Sequence, residues 1–200
     1  MKQSVFTVLL LMICLFPARG QDKASYLPLA APRLAVKTNL LYDATTTLNL
    51  GLEVRLKNRY TLDLSVNYNP FTYSGNRKLK HILVQPELRY WSCEPFYGHF
   101  IGVHALYANY NTGNIKLPLD IFPGLETGRY RGNLYGAGIS YGYHWMLSPR
   151  WNLEATIGVG YVYTDYDRYE CKTCGKLLDS GNKHYFGPTK AGISFIYIIK

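Results

Sequence analysis

The sequence predicts an all-β chain, an eight-stranded antiparallel up-and-down transmembrane β-barrel. Three observations carry that expectation. Period-two alternation recurs along residues 34–199, whereas no segment holds helical period for three turns. The connections alternate between short and long, as in barrels with turns at one end and loops at the other. The apolar phase of the strands is too bulky for the inside of so small a barrel, so it faces outward.

The N-terminus comes first. Met1-Lys2, the apolar stretch from Val5 to Phe16 and the small-residue exit Ala18-Arg19-Gly20 have the order of a secretory signal peptide. The stretch is too short for a membrane-spanning helix. Cleavage is expected after Gly20, and Cys14 lies within the apolar stretch, which disfavours a lipid anchor. Residues 1–20 are then the signal peptide, 21–33 a flexible periplasmic lead and 34–200 the barrel. Loss of Lys2 and Arg19 lowers the net charge of +9 to +7. That basic balance suits anionic headgroups, but an exported chain without a basic run does not point to nucleic acid.

Strand one is expected over 34–42 and strand two over 49–57, where Leu50, Leu52, Val54 and Leu56 oppose Gly51, Glu53, Arg55 and Lys57. Strand three follows with Tyr60, Leu62, Leu64, Val66 and Tyr68 on one face. Strand four covers 82–91, with Pro86 weakening it because proline removes a ladder donor, and strand five covers 97–110. Strand six sets Tyr135, Ala137, Ile139, Tyr141, Tyr143 and Trp145 against three glycines and two polar residues. Strand seven repeats the pattern from Trp151 to Tyr161, and strand eight, 185–199, closes the series. An even count places both ends on one side.

Connections after strands two, four and six are brief, and those after three, five and seven are long; only the loop at 43–48 breaks the rule. Short periplasmic turns and long external loops fit an outer-membrane orientation. Tyr60, Tyr90, Trp91, Tyr97, Trp145 and Trp151 fall at the periplasmic ends of the strands. Tyr42, Tyr68, Tyr107, Tyr110, Tyr135, Tyr161 and Tyr163 fall near the other rim. Two such bands are the aromatic girdles expected where rings bury their bodies in lipid and keep a polar atom wet.

The inward phase holds Lys37, Arg55, Arg89 and Lys190 against Glu53, Asp63, Glu87 and Glu154. Buried charges are tolerated only when paired, so these eight are expected to form a network filling the lumen. Glycines on strands five to eight leave room for long side chains from strands one to four. A local disulfide between Cys171 and Cys174 is the expected state of that external pair; free thiols, or a metal assisted by His184, are the alternatives. Cys93 lies at the far end and is expected to pair with neither. No Ser, His and acid converge on the external strand ends, which argues against an embedded hydrolase. His99, His104 and His144 read as periplasmic-side or lumen hydrogen-bonders. No cofactor is expected. Basic and apolar residues in the second and third external loops offer a contact surface for lipopolysaccharide or a protein.

Residues 190–197 resemble the β-signal of bacterial outer-membrane proteins, with Lys190, Gly192, Phe195 and Tyr197 at its defining positions, although Ile198-Ile199-Lys200 follow the expected terminal aromatic. The resemblance implies recognition by the barrel assembly machinery. The strand plan is similar to that of OmpA- and OmpX-type small barrels. The segments at 37–47, 85–91, 98–100 and 185–192 resemble a Bacteroidetes family of uncharacterised exported barrels, often encoded near fimbrial or surface-assembly genes. That resemblance implies a non-enzymatic outer-membrane scaffold or surface-assembly component in contact with lipid, lipopolysaccharide and a surface or fimbrial protein. A narrow passive pore and a lipid-modifying enzyme are the alternatives.

Overall fold

The alternating segments form the strands, and their order in the chain is their order around the structure. A computed structural model describes residues 32–73, 77–113, 128–170 and 175–199. Among these, the strands are β1 (Leu34–Asn39), β2 (Leu48–Lys57), β3 (Tyr60–Asn69), β4 (Arg77–Trp91), β5 (Gly98–Gly113), β6 (Gly128–Met146), β7 (Trp151–Glu170) and β8 (Leu177–Ile199). A single helical turn, α1 (Leu40–Asp43), separates β1 from β2. The two-residue piece Thr72–Tyr73 pairs with β4 beyond the end of β3. Every strand pairs antiparallel with its sequence neighbours, and β1 pairs with β8 from Leu34↔Ile199 to Asn39↔Ser194, so the sheet closes on itself. Closure covers the strand edges over the span of these pairings, while the β8 edge before Ser194 runs on past the end of β1.

Two boundaries differ from expectation for a local reason. β1 stops at Asn39 instead of running to Tyr42, because the Asn39 side chain accepts a hydrogen bond from Leu41 N at 3.1 Å and caps the helical turn. At the long-loop end the strands outrun their alternation. β6 begins at Gly128, β7 continues to Glu170 and β8 begins at Leu177, with an unbroken β6–β7 register from Gly128↔Glu170 to Met146↔Asn152. Above the barrel proper both faces of these strands are partly wet, so no two-residue apolar rhythm marks them.

Pro86 leaves the mark expected of it. It pairs toward β3 with Leu64, but the β4–β5 ladder skips from Val84↔Tyr107 to Glu87↔His104. Within the ring, side chains split by phase. Leu50, Ile101, Val103, Ile139 and Ile157 are about 60 % exposed on the outer face, while Glu53, Arg89, Trp91 and His144 are fully buried inside. Glycines bring the walls close enough for this. A Cβ on Gly138 would collide with the Val159 carbonyl oxygen and lie 2.9 Å from the His104 ring. The lumen is therefore filled with side chains, as an eight-stranded ring requires.

Candidate functional site

Three layers stack inside the ring. The lowest, at the short-turn end, is apolar. Phe96, in the turn between β4 and β5, folds inward at φ 67° and meets Ala35 and Ile196, all three essentially buried. The Phe96 carbonyl accepts from Asn152 Nδ2 at 2.9 Å, which ties the turn to β7. Above it Trp91 packs at a tilt against Phe100 with ring centroids 4.9 Å apart and meets the His144 ring edge-on at 4.8 Å. Trp91 thus departs from the girdle expected of it. Alternation from outward Tyr90 turns the indole into the lumen, where Nε1 donates to Thr61 Oγ1 at 2.9 Å.

The second layer is charged. Register sets Glu53 opposite Asp63 and Asp63 opposite Glu87, so three carboxylates line up across β2, β3 and β4. Like charges facing each other directly would be destabilising. Arg89 offsets this by reaching all sides: Nε donates to Glu87 at 2.7 Å, Nη1 to Glu53 and to Glu154, each at 2.8 Å, and Nη2 to Asp63 at 3.1 Å. Its guanidinium also lies 4.2 Å from the Phe100 ring centroid, a cation–π contact with the layer below. Lys37 Nζ adds contacts of 2.8 Å to Glu53 and 2.9 Å to Asp63, and Lys190 Nζ reaches Glu87 at 2.7 Å. Hydroxyls complete the shell. Thr61 donates to Glu53 and Thr156 to Glu154, each at 2.6 Å, and Ser140 donates to Glu87. His144 Nε2 donates to Glu154 at 2.5 Å.

The structure therefore brings together seven of the eight residues named from sequence: Lys37, Glu53, Asp63, Glu87, Arg89, Glu154 and Lys190. Arg55 stands apart, a correction with a plain cause. It is only half-buried, beside the irregularity in register between Arg55 and Lys57 near the short-turn end, below the level of the buried carboxylates. Sequence reasoning missed His144 as a member of the cluster, along with Thr61, Ser140 and Thr156. The signal was available in their phase: Thr61 precedes Asp63 by two, and Thr156 follows Glu154 by two.

Glu53, His144 and Glu154 hold potential ligand atoms within 4.8 Å of one another. Their chemistry opposes a metal, because Glu53 Oε2 and Glu154 Oε2 already accept from Arg89 with Lys37 beside them. A divalent ion would enter at short range from two fixed positive charges.

The third layer, toward the long-loop end, is a cavity of about 460 Å³ whose lining includes Leu79, Leu83, Leu106, Ala108, Leu134 and Val162. The inward phase thus carries its charges in the middle of the lumen and turns largely apolar here, with Thr112 and Thr164 among the polar residues that remain. His104 and Thr189 mark the transition, with Nε2 and Oγ1 2.9 Å apart.

Of the remaining candidates, Phe195 and Tyr197 face out and each pack on Trp151 at 4.8 Å, while Lys190 and Gly192 face in. Cys93 is exposed and free. Cys171 and Cys174, like the expected signal peptide, lie outside the described residues. His99 is exposed and bonds the Tyr141 hydroxyl at 2.6 Å, and His184 bonds Tyr161.

No curated protein and no solved structure matches the chain. A family model described as "Protein of unknown function (DUF3575)" matches residues 5–199. With nearly its whole length matched, the chain belongs to the DUF3575 family of proteins of unknown function.

Proposed function

We propose that the protein is a non-enzymatic outer-membrane barrel, closed to solutes by its own side chains, that acts as a scaffold for assembly at the cell surface. The observation that carries the closed lumen is the cluster of three cations and four carboxylates around Arg89, seated on the Trp91, Phe96 and Phe100 layer. A solute crossing the ring would have to separate buried ion pairs, each costly to break because an uncompensated charge would remain.

The membrane reading rests on the outer face. Large apolar side chains cover it on every strand from β2 to β8, far beyond the scattered patches that soluble monomers expose. On β6 the outward-facing stretch from Tyr135 to Trp145, which holds Ala137, Ile139, Tyr141 and Tyr143 between its ends, spans ten residue steps. That is about 34 Å along a strand, or about 25 Å once the strand tilts, the height of an outer-membrane apolar band. The strand extensions of β6, β7 and β8 then stand outside the membrane, where they offer a rigid platform to lipopolysaccharide or to a surface or fimbrial protein. The Lys190 to Tyr197 pattern is the segment through which the assembly machinery would recognise the chain.

The test is electrical. Purified protein reconstituted in a planar bilayer should give no reproducible open-channel steps, and steady steps from wild-type protein would overturn the closed lumen. Fractionation of cells into inner and outer membranes, with heat-modifiable migration of the extracted protein, checks the location.

A further inference from the structure

We propose that the upper lumen is a binding site for the hydrocarbon chain of a single-chain anionic amphiphile, entered sideways between α1 and β8. The proposal rests on the membrane reading above only for the route of entry.

The cavity of about 460 Å³ lies within the range of about 300–1,000 Å³ typical of small-molecule sites. Most of its wall is apolar, and few polar groups, Thr112 and Thr164 among them, are there to hold ordered water in place. Its floor is closed by Gln85, whose Nε2 donates to the Thr189 carbonyl at 3.2 Å above the charged layer. A ligand can thus enter the upper lumen without passing through the barrel.

The entrance follows from the shortness of β1. Pairing between β1 and β8 ends at Asn39↔Ser194. Beyond it, among the described residues, no strand covers that edge of β8. The Thr189 bulge, where Gly158 pairs with Lys190 but Val159 with Pro188, bends the strand at this level. Between this edge and α1 lies a second hollow of about 400 Å³, lined by Leu41 and Tyr42 on one side and by Pro188 and Ala191 on the other. The two hollows are adjacent, since Leu79, His81, Pro188 and Thr189 line both, and only these side chains stand between them. Leu40 and Leu41 are exposed on one flank and Phe186 is 79 % exposed on the other. An alkyl chain can slide between such flanks, whereas a soluble polar ligand gains nothing from them.

The anionic head follows from the charge at the rim. Lys183 lines the cavity, with its Nζ 5.4 Å from the Tyr166 ring centroid. The cation of the deeper mouth, Lys190, is already taken by Glu87. A carboxylate or phosphate at the rim would meet Lys183 while its chain fills the space below. The same chemistry fits a free fatty acid and a lysophospholipid.

The experiment uses the protein in phosphatidylcholine nanodiscs with two photoreactive probes. One is palmitic acid carrying a diazirine at its chain end, the other a lysophospholipid with the same chain. After irradiation, adducts are mapped by mass spectrometry on inward Leu106, Leu134 and Val162 and on outward Ile139 and Val159. Inward adducts are expected with at least one probe, and which probe gives them identifies the source of the chain. Val162→Trp and the milder Ala108→Phe remove room for several methylenes. Each methylene denied burial weakens binding by about fourfold, so inward labelling should fall by more than about tenfold while outward labelling stays. Lys183→Gln should reduce inward labelling by the acid but not by the matching neutral alcohol. Absence of inward adducts with both probes, or their persistence in both filled variants, overturns the site. Inward labelling without outward labelling would sustain the site and remove the membrane reading.

Discussion

Arg89 concentrates the energetics of the lumen in one side chain. Four carboxylates converge on its guanidinium within 3.1 Å, and all of these groups are buried. Removing one partner from a buried ion cluster typically costs about 3–5 kcal/mol, because charges without compensation are left behind. Arg89→Met is expected to lose stability in that range when the barrel refolded into vesicles is unfolded in urea. Arg89→Lys should lose less, since the charge stays but the planar fork that serves several oxygens at once is gone. Arg55→Met should change stability by no more than about 0.5 kcal/mol, as at an ordinary surface position. A similar cost for Arg55 and Arg89 would contradict the separation drawn between them. Both arginines were legible in sequence as inward-facing, since alternation assigns each a side. Depth was not legible. Alternation says nothing about where along the barrel water stops, and this is what divides a half-buried Arg55 from a fully buried Arg89. Trp91 makes the related point that level along a strand does not by itself place an aromatic in an outer band: its height matches the girdle, but its phase turns it inward.

At the scale of elements, α1 and the close approach of β6 to β7 make separate demands. Asn39 does two jobs: its Oδ1 caps α1, and its Nδ2 donates to the Ala191 carbonyl of β8 at 3.1 Å. Asn39→Ala should therefore destabilise by about 1 kcal/mol or somewhat more, the usual cost of a lost cap. Proteolysis of residues 40–47 in the folded barrel should quicken measurably; unchanged cleavage would show that the cap does not hold the turn. At Gly138 a side chain would press on the Val159 carbonyl and on His104. Gly138→Val is expected to cost about 1–3 kcal/mol as overpacking, read as a lower urea midpoint and slower refolding. The cores of the strands were legible because inside and outside differ in polarity there. The extensions of β6, β7 and β8 were not, because stretches such as Gly128-Arg129-Tyr130-Arg131 carry no contrast between faces. The apolar cavity was hidden differently. Leu106 and Ala108 continue the inward phase of Gly102 and His104 on β5, yet a reading that treats one phase as uniformly polar has no place for them.

The ring of described strands is organised radially, apolar outside and charged at the centre, the inverse of an apolar core in a polar shell. That inversion makes one further prediction separable from everything inside the lumen. Val103, Ile139 and Val159 form a continuous cross-strand row, Val103 opposite Ile139 and Ile139 opposite Val159. Outward Tyr107, Tyr135 and Tyr161 lie on one side of that row, with Trp145 and Trp151 toward the other end. If lipid surrounds the ring, this row sits near the bilayer midplane, and an arginine there costs about 2–4 kcal/mol, falling to about 0–1 kcal/mol near the interfaces. Val103→Arg and Ile139→Arg should then lower the unfolding free energy in vesicles by that larger amount, while Leu147→Arg at the short-turn rim should be nearly neutral. In water the order would vanish, because an arginine replacing an exposed valine meets solvent at any height. The gradient of cost with height thus measures the surrounding solvent directly. Equal, small effects at Val103, Ile139 and Leu147 would show that the outer face meets water instead of lipid.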